Sequence, residues 1–175
     1  AMNTSPKIAV VHEWLDSYAG SERVVEQMLR VFSQADLFAV DGFSGTAFAL
    51  RSTGGGNFAV SSGLYLSGLV PEDAAAIDLN GDGFDDLATI GSFSFTLTTA
   101  LTNGQGSFSG VVGTTTFSGP GPTSLTAADL NGDGKKDLAI SWLFSPAGGV
   151  RILAGNGTVS PTLIGDYSVG FTPQN

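Results

Sequence analysis

A mainly β fold with one helix is predicted by three observations. A nonapeptide at 78–86, Asp-Leu-Asn-Gly-Asp-Gly-Phe-Asp-Asp, returns at 129–137 as Asp-Leu-Asn-Gly-Asp-Gly-Lys-Lys-Asp, a period of 51 residues that falls in the range of stacked or circular repeats. Between the copies lie short alternating stretches separated by Gly, Ser and Thr turns, four strands to a period, which is the unit size of a propeller blade. Composition agrees: with 25 Gly, 13% charged and 42% hydrophobic residues, the chain suits many short strands around a core more than long helices. The predicted architecture is a partial β-propeller of about two and a half four-stranded blades, preceded by an N-terminal strand-helix-strand unit.

Taken in order, residues 1–5 are a leader in which Ala1 and Met2 read as an expression scar. From Lys7, Lys-Ile-Ala-Val-Val-His is a short apolar run typical of a buried strand. Ser21 is a good N-cap, and over 22–32 Val24, Val25, Met28, Leu29 and Phe32 form one helical stripe opposite the i,i+4 pair Glu26 and Arg30. Asp-Leu-Phe-Ala-Val at 36–40 is a second strand, so 6–40 forms a β-α-β unit with a right-handed parallel crossover. Blades occupy 41–165 and a tail 166–175. Strands at 74–77 and 125–128 enter the nonapeptides, and strands at 87–90 and 138–142 leave them. Third strands follow at 93–101 and 150–153, then a Gly turn, then fourth strands at 108–112 and 159–164. Asp36 to Val40 stands 50 residues before Asp86 to Ile90, and by that offset a further nonapeptide would fall on 28–36, where Met28, Arg30 and Phe32 offer no suitable side-chain oxygen. The helix takes its place.

Each nonapeptide puts side-chain oxygens at positions 1, 3, 5 and 9 and Gly at position 6, the spacing of a calcium loop in which the position-7 carbonyl adds a further oxygen. The expected ligands are Asp78, Asn80, Asp82, Phe84 (carbonyl) and Asp86 in the first loop. In the second they are Asp129, Asn131, Asp133, Lys135 (carbonyl) and Asp137. Two calcium ions per chain follow. An ordinary turn also favours Asn-Gly and Asp-Gly, but it does not need three carboxylates that repel one another without a cation. Asp85, at position 8, is expected to face solvent. Position 12 is Thr89 or Ile140, not the carboxylate of an EF-hand.

A formal charge of −9 with only 7 Lys and Arg argues against a nucleic-acid partner. No apolar run is long enough for a membrane span or a signal-peptide core. Without cysteine there is no thiolate chemistry. His12, the single histidine, stands near Glu13 and Asp16 at the end of a strand and reads as structural; with no nucleophile-elbow pattern, no catalytic residue and no organic cofactor are expected. Trp14, Trp142 and the 12 Phe suit core and inter-blade packing, with a sugar-binding face as the alternative.

The Asp-x-Asn-Gly-Asp-Gly-x-x-Asp-Leu-Ala signature resembles the FG-GAP or VCBS repeats of integrin-like propellers, over about 36–165. That resemblance implies a calcium-holding loop between the two inner strands, an extracellular or periplasmic origin, and a protein or glycan ligand. Lys-Ile-Ala-Val-Val-His-Glu-Trp-Leu followed by Tyr-Ala-Gly-Ser-Glu-Arg-Val-Val-Glu-Gln-Met resembles the N-terminus of family-4 glycosyltransferases over about 6–40. Gly20, Glu22 and Arg23 correspond, and Ala19 stands where that family often has Gly. This second resemblance implies a cytoplasmic origin and ancestry of a fragment, since the domain that carries the nucleotide-sugar site is absent from the sequence. The expectation is a non-catalytic calcium-binding repeat protein, an artificial or segment-swapped chimera with structural calcium. The alternatives are a nucleotide-sugar-binding fragment and an adhesion or carbohydrate-binding module. An open blade stack exposes a sheet face and strand edges, so a homo-oligomer that completes the stack is expected.

Overall fold

The computed structural model describes residues 9–12, 36–41, 45–54, 57–66, 71–91, 93–105, 107–119, 121–143 and 147–170. Among them are twelve strands and no helix; the helix predicted over 22–32, with Gly20, Glu22 and Arg23 before and within it, lies outside the described residues. The strands form three four-stranded sheets. The first holds β1 (Ala9–His12), β2 (Asp36–Asp41), β3 (Thr46–Gly54) and β4 (Asn57–Tyr65). The second holds β5 (Asp73–Ile77), β6 (Asp86–Gly91), β7 (Thr96–Thr102) and β8 (Phe108–Thr116). The third holds β9 (Pro122–Ala128), β10 (Asp137–Trp142), β11 (Ala147–Ala154) and β12 (Thr162–Gly170).

In the second and third sheets all neighbours are antiparallel and follow chain order. Such a meander is what short strands joined by tight turns produce, and it is the blade of a propeller. The first sheet differs in one pair. β1 lies parallel to β2, with Ala9 opposite Asp36 and His12 opposite Ala39, the pairing that a crossover unit requires. The half blade expected at the front is therefore completed to four strands by β1. β5 packs beside both β1 and β9, so the first strand of each sheet lies innermost and the architecture is that of a partial propeller.

Packing explains the burial pattern. One cluster joins the second sheet to the third through Ile77, Leu79, Ile90, Leu97, Leu138 and Ile140. The other joins the first to the second through Phe38, Val40, Ala47, Ala49 and Leu87. Because successive side chains of a strand point to opposite faces, Leu87 serves one cluster and Ala88 and Ile90 the other, and every residue of β6 is buried. The outer faces of the stack are unlike each other. On β2, Leu37 and Ala39 point away from the second sheet yet are buried, whereas Leu130, the period equivalent of the buried Leu79, is 49% exposed at the third sheet.

Several sequence boundaries move, among them both fourth strands, observed at Phe108–Thr116 and Thr162–Gly170 where 108–112 and 159–164 are expected. The third strand of the second sheet starts at Thr96 rather than 93, because Phe95 takes a left-handed φ of 54° in the turn before it. β12 runs on to Gly170 with Val150 opposite Tyr167, so the stretch assigned to a tail is largely strand, as its β-branched and aromatic residues favour.

Candidate metal centre

Both nonapeptides form the loop between the first and second strands of a sheet, β5 to β6 and β9 to β10, and the two are built alike. Position 1 binds the loop's own backbone: Asp78 Oδ1 accepts from Gly81 N–H at 2.7 Å and Oδ2 from Gly83 N–H at 2.9 Å. Asp129 does the same with Gly132 at 2.7 Å and Gly134 at 3.0 Å. Position 3 turns the chain, with Asn80 Oδ1 accepting from Asp82 N–H at 2.9 Å and Asn131 Oδ1 from Asp133 N–H at 2.8 Å. Position 5 repeats the device: Asp82 and Asp133 accept from Phe84 and Lys135 N–H, each at 2.8 Å. Bringing these amides inward requires left-handed backbone at position 4 as well as position 6. Gly81 and Gly83 have φ of 77° and 82°, and Gly132 and Gly134 79° and 84°, which a residue without Cβ adopts at little cost.

Position 9 is the anchor. Asp86 and Asp137 are fully buried. Asp86 Oδ2 accepts from Leu79 N–H at 3.0 Å within the loop, and Oδ1 from Thr102 N–H at 2.8 Å at the end of β7. Asp137 reaches Leu130 N–H at 3.0 Å and Gly155 N–H at 3.1 Å. Each loop is thereby tied across its sheet to the turn that follows the third strand. Burial, opposed by the two amide bonds and reinforced by the nearby charges of Asp82 and Asp78, leaves the Asp86 carboxyl raised to about 6. The loop's three carboxylates thus repel one another across the turn.

The ten expected donor residues sit as two sets of five, one per loop, and both sets are all-oxygen, the chemistry a hard divalent cation takes. Each carboxylate oxygen engaged by one amide retains acceptor capacity. Among the described residues, no three Asp, Glu or His side chains are gathered tightly enough to hold a metal on their own. A cation here would draw on the Asn side chain and the position-7 carbonyl as well as on the carboxylates.

Sequence spacing leaves other partners unseen. Thr102 and Gly155 are far along the chain from the loops they hold, and only sheet register brings them there. Asp85, expected to face solvent, instead lies 3.7 Å from Lys136 Nζ, so the position-8 side chains of the two loops pair across sheets; its backbone carbonyl also accepts from Thr102 Oγ1 at 2.9 Å. His12 ends β1, while Glu13, Trp14 and Asp16 lie outside the described residues.

Comparison with known proteins agrees with this construction. Residues 78–140 match a family model described as FG-GAP-like repeat, and residues 121–160 match one described as FG-GAP repeat. No curated protein matches the chain. Two loops of one design, each joining the first two strands of a four-stranded antiparallel sheet, and two overlapping family matches lead to one statement: residues 78–160 are similar to FG-GAP repeats, and the three sheets form a propeller-like module.

Proposed function

We propose that this chain is a non-catalytic repeat module in which one calcium ion in each loop braces the hairpin of the two inner strands. The reading is carried by Asp86, a fully buried carboxylate whose proton affinity is raised by burial and by the charges of Asp82 and Asp78. A divalent cation among these groups offsets both the desolvation and the repulsion, and its binding free energy then appears as folding free energy. The ions are structural: each sits in a turn whose shape the backbone has already set. The test is a thermal melt of the full chain with EDTA and with added calcium. Chelation lowers the melting temperature and calcium restores it, with two sites per chain by titration; an unchanged melt counts against the proposal.

The parallel pairing of β1 with β2 favours reading 6–40 as a β-α-β piece joined to the repeats, as in a segment-swapped chimera. On this reading the piece is a structural substitute for a first loop, and titration of the chain with UDP- or GDP-sugars gives no heat. We also propose a homo-oligomer in which a second copy covers the outer face of the third sheet, supported by exposed Leu130 where its equivalent Leu79 is buried.

A further inference from the structure

The ends of the strands away from the metal loops carry a repeated feature. Wherever two sheets meet there is a groove, and register shows the two grooves to be equivalent. In the second sheet Thr89 pairs with Thr98 and Thr98 with Thr114; in the third, Ile140 pairs with Arg151 and Arg151 with Asp166. Thr89 and Ile140 stand at the same distance beyond the position-9 carboxylates, so Thr98 corresponds to Arg151 and Thr114 to Asp166. On the opposite wall Leu66 corresponds to Phe117. Each follows its sheet's last strand and donates its N–H to the residue preceding the third, Leu66 to Gly45 O at 2.8 Å and Phe117 to Phe95 O at 2.7 Å.

The groove between the second and third sheets is filled by the protein itself. The Arg151 guanidinium lies 4.6 Å from the Phe117 ring centre and 5.9 Å from that of Trp142. It donates to both oxygens of Asp166, at 2.6 and 2.7 Å, and a space of about 120 Å³ remains. The groove between the first and second sheets has Thr at both of those positions and stays open, with a volume of about 390 Å³.

Among the described residues its lining holds five hydroxyl-bearing side chains, Tyr65, Ser94, Thr96, Thr98 and Thr114, and no charged one. Tyr65, 66% exposed, and Val112 supply apolar surface at its mouth. With no cation among the described lining residues, and in a chain of charge −9, an anionic ligand finds nothing there to neutralise it. Ser94 and Thr96 bond each other at 2.7 Å and Thr98 is buried, so the exposed Tyr65 and Thr114 hydroxyls are the ones from which a purely apolar ligand would strip water without replacing the hydrogen bonds. A ligand that suits the groove is neutral, donates and accepts in many directions, and has an apolar face for the tyrosine ring. We propose that this groove binds a neutral saccharide.

The groove and the metal loops lie at opposite strand ends, so the failure of either proposal leaves the other standing. The test is a titration of the isotope-labelled full chain, in calcium, with maltotriose, cellotriose and N-acetylchitotriose, followed by amide shifts. At least one sugar produces saturable shifts at Tyr65, Ser94 to Thr98 and Val112 to Thr114. Thr98→Arg with Thr114→Asp, which installs the ion pair of the equivalent groove, abolishes them, and Tyr65→Ala weakens binding by about tenfold. Absence of saturable groove shifts with all three sugars overturns the proposal, as does unchanged affinity in the filled variant. If that variant does not fold, unchanged affinity in Tyr65→Ala, a change at an exposed side chain, overturns it instead.

Discussion

Asp86 and Asp82 carry the same charge in the same turn and do different work. Asp86→Ala leaves the buried Leu79 and Thr102 amides without acceptors and is expected to cost about 2–4 kcal/mol even without calcium. Asp82→Ala, at an exposed site, is nearly neutral in the calcium-free protein and removes the gain that calcium gives. Melts of both variants with and without calcium separate the two effects. Glycines divide in the same way. A Cβ on Gly81 meets nothing, so Gly81→Ala carries only the strain of φ 77°, about 1–2 kcal/mol. A Cβ on Gly104 would fall within 2.3 Å of the Phe84 ring at φ 67°, and Gly104→Ala is expected to cost about 2–5 kcal/mol; urea unfolding ranks the pair. The turns themselves were legible because each is built from residues local in sequence. Thr102, Gly155 and the Asp85–Lys136 pair were not legible, because they are contacts of register between strands rather than of neighbouring residues.

Strands and their junctions hold the next set of forces. Asp73, at the start of β5, accepts from Leu125 N–H at 2.7 Å and Ser124 Oγ at 2.9 Å, clasping the innermost strands of two sheets. Asp73→Ala is expected to destabilise by about 1–3 kcal/mol, and amide exchange reports the loss first at Leu125. Across β11 and β12 the Arg151 guanidinium holds the Asp166 carboxyl below its ordinary value. A carboxyl with a lowered folded pKa contributes stability that is present above its unfolded value, about 4, and is lost as pH falls through the folded one. The stability gap between the parent and Asp166→Asn therefore closes on acidification below about pH 4, and it shrinks in salt because Asp166 is partly exposed; denaturant titration across pH measures it. Alternation and turn residues made most strands readable in sequence. They failed at 93–95, where apolar Phe93 and Phe95 imitate a strand but form a turn with Phe93 largely exposed. They failed again at 166–170, where Tyr167 and Val169 favour strand but the end of the repeat was read as a tail, and the stretch pairs with β11.

At the scale of the whole molecule, the stack has one bare end. Leu130→Glu places a charge on that face and is expected to convert an associated species to monomer; light scattering that finds the parent monomeric at micromolar concentration removes the proposal of self-association. The period of 51 residues made the two complete blades predictable, and the missing loop at 28–36 located the change in the first. What the period could not supply was the direction of the strand that stands in for the lost one. Four antiparallel strands return a chain to the end of the sheet from which it entered. β1, parallel to β2, reverses the entry: Ala9 lies at the metal-loop end of the strands, while Gly170 closes β12 at the groove end. A pull applied between these two points runs along β1 and β12 rather than across them, loading their hydrogen bonds together in shear. In a stack of uniform meanders both points would lie at one end and the edge strands would peel one bond at a time. The substituted strand therefore fixes how a load between Ala9 and Gly170 would meet the hydrogen bonds of β1 and β12, along the strands rather than across them.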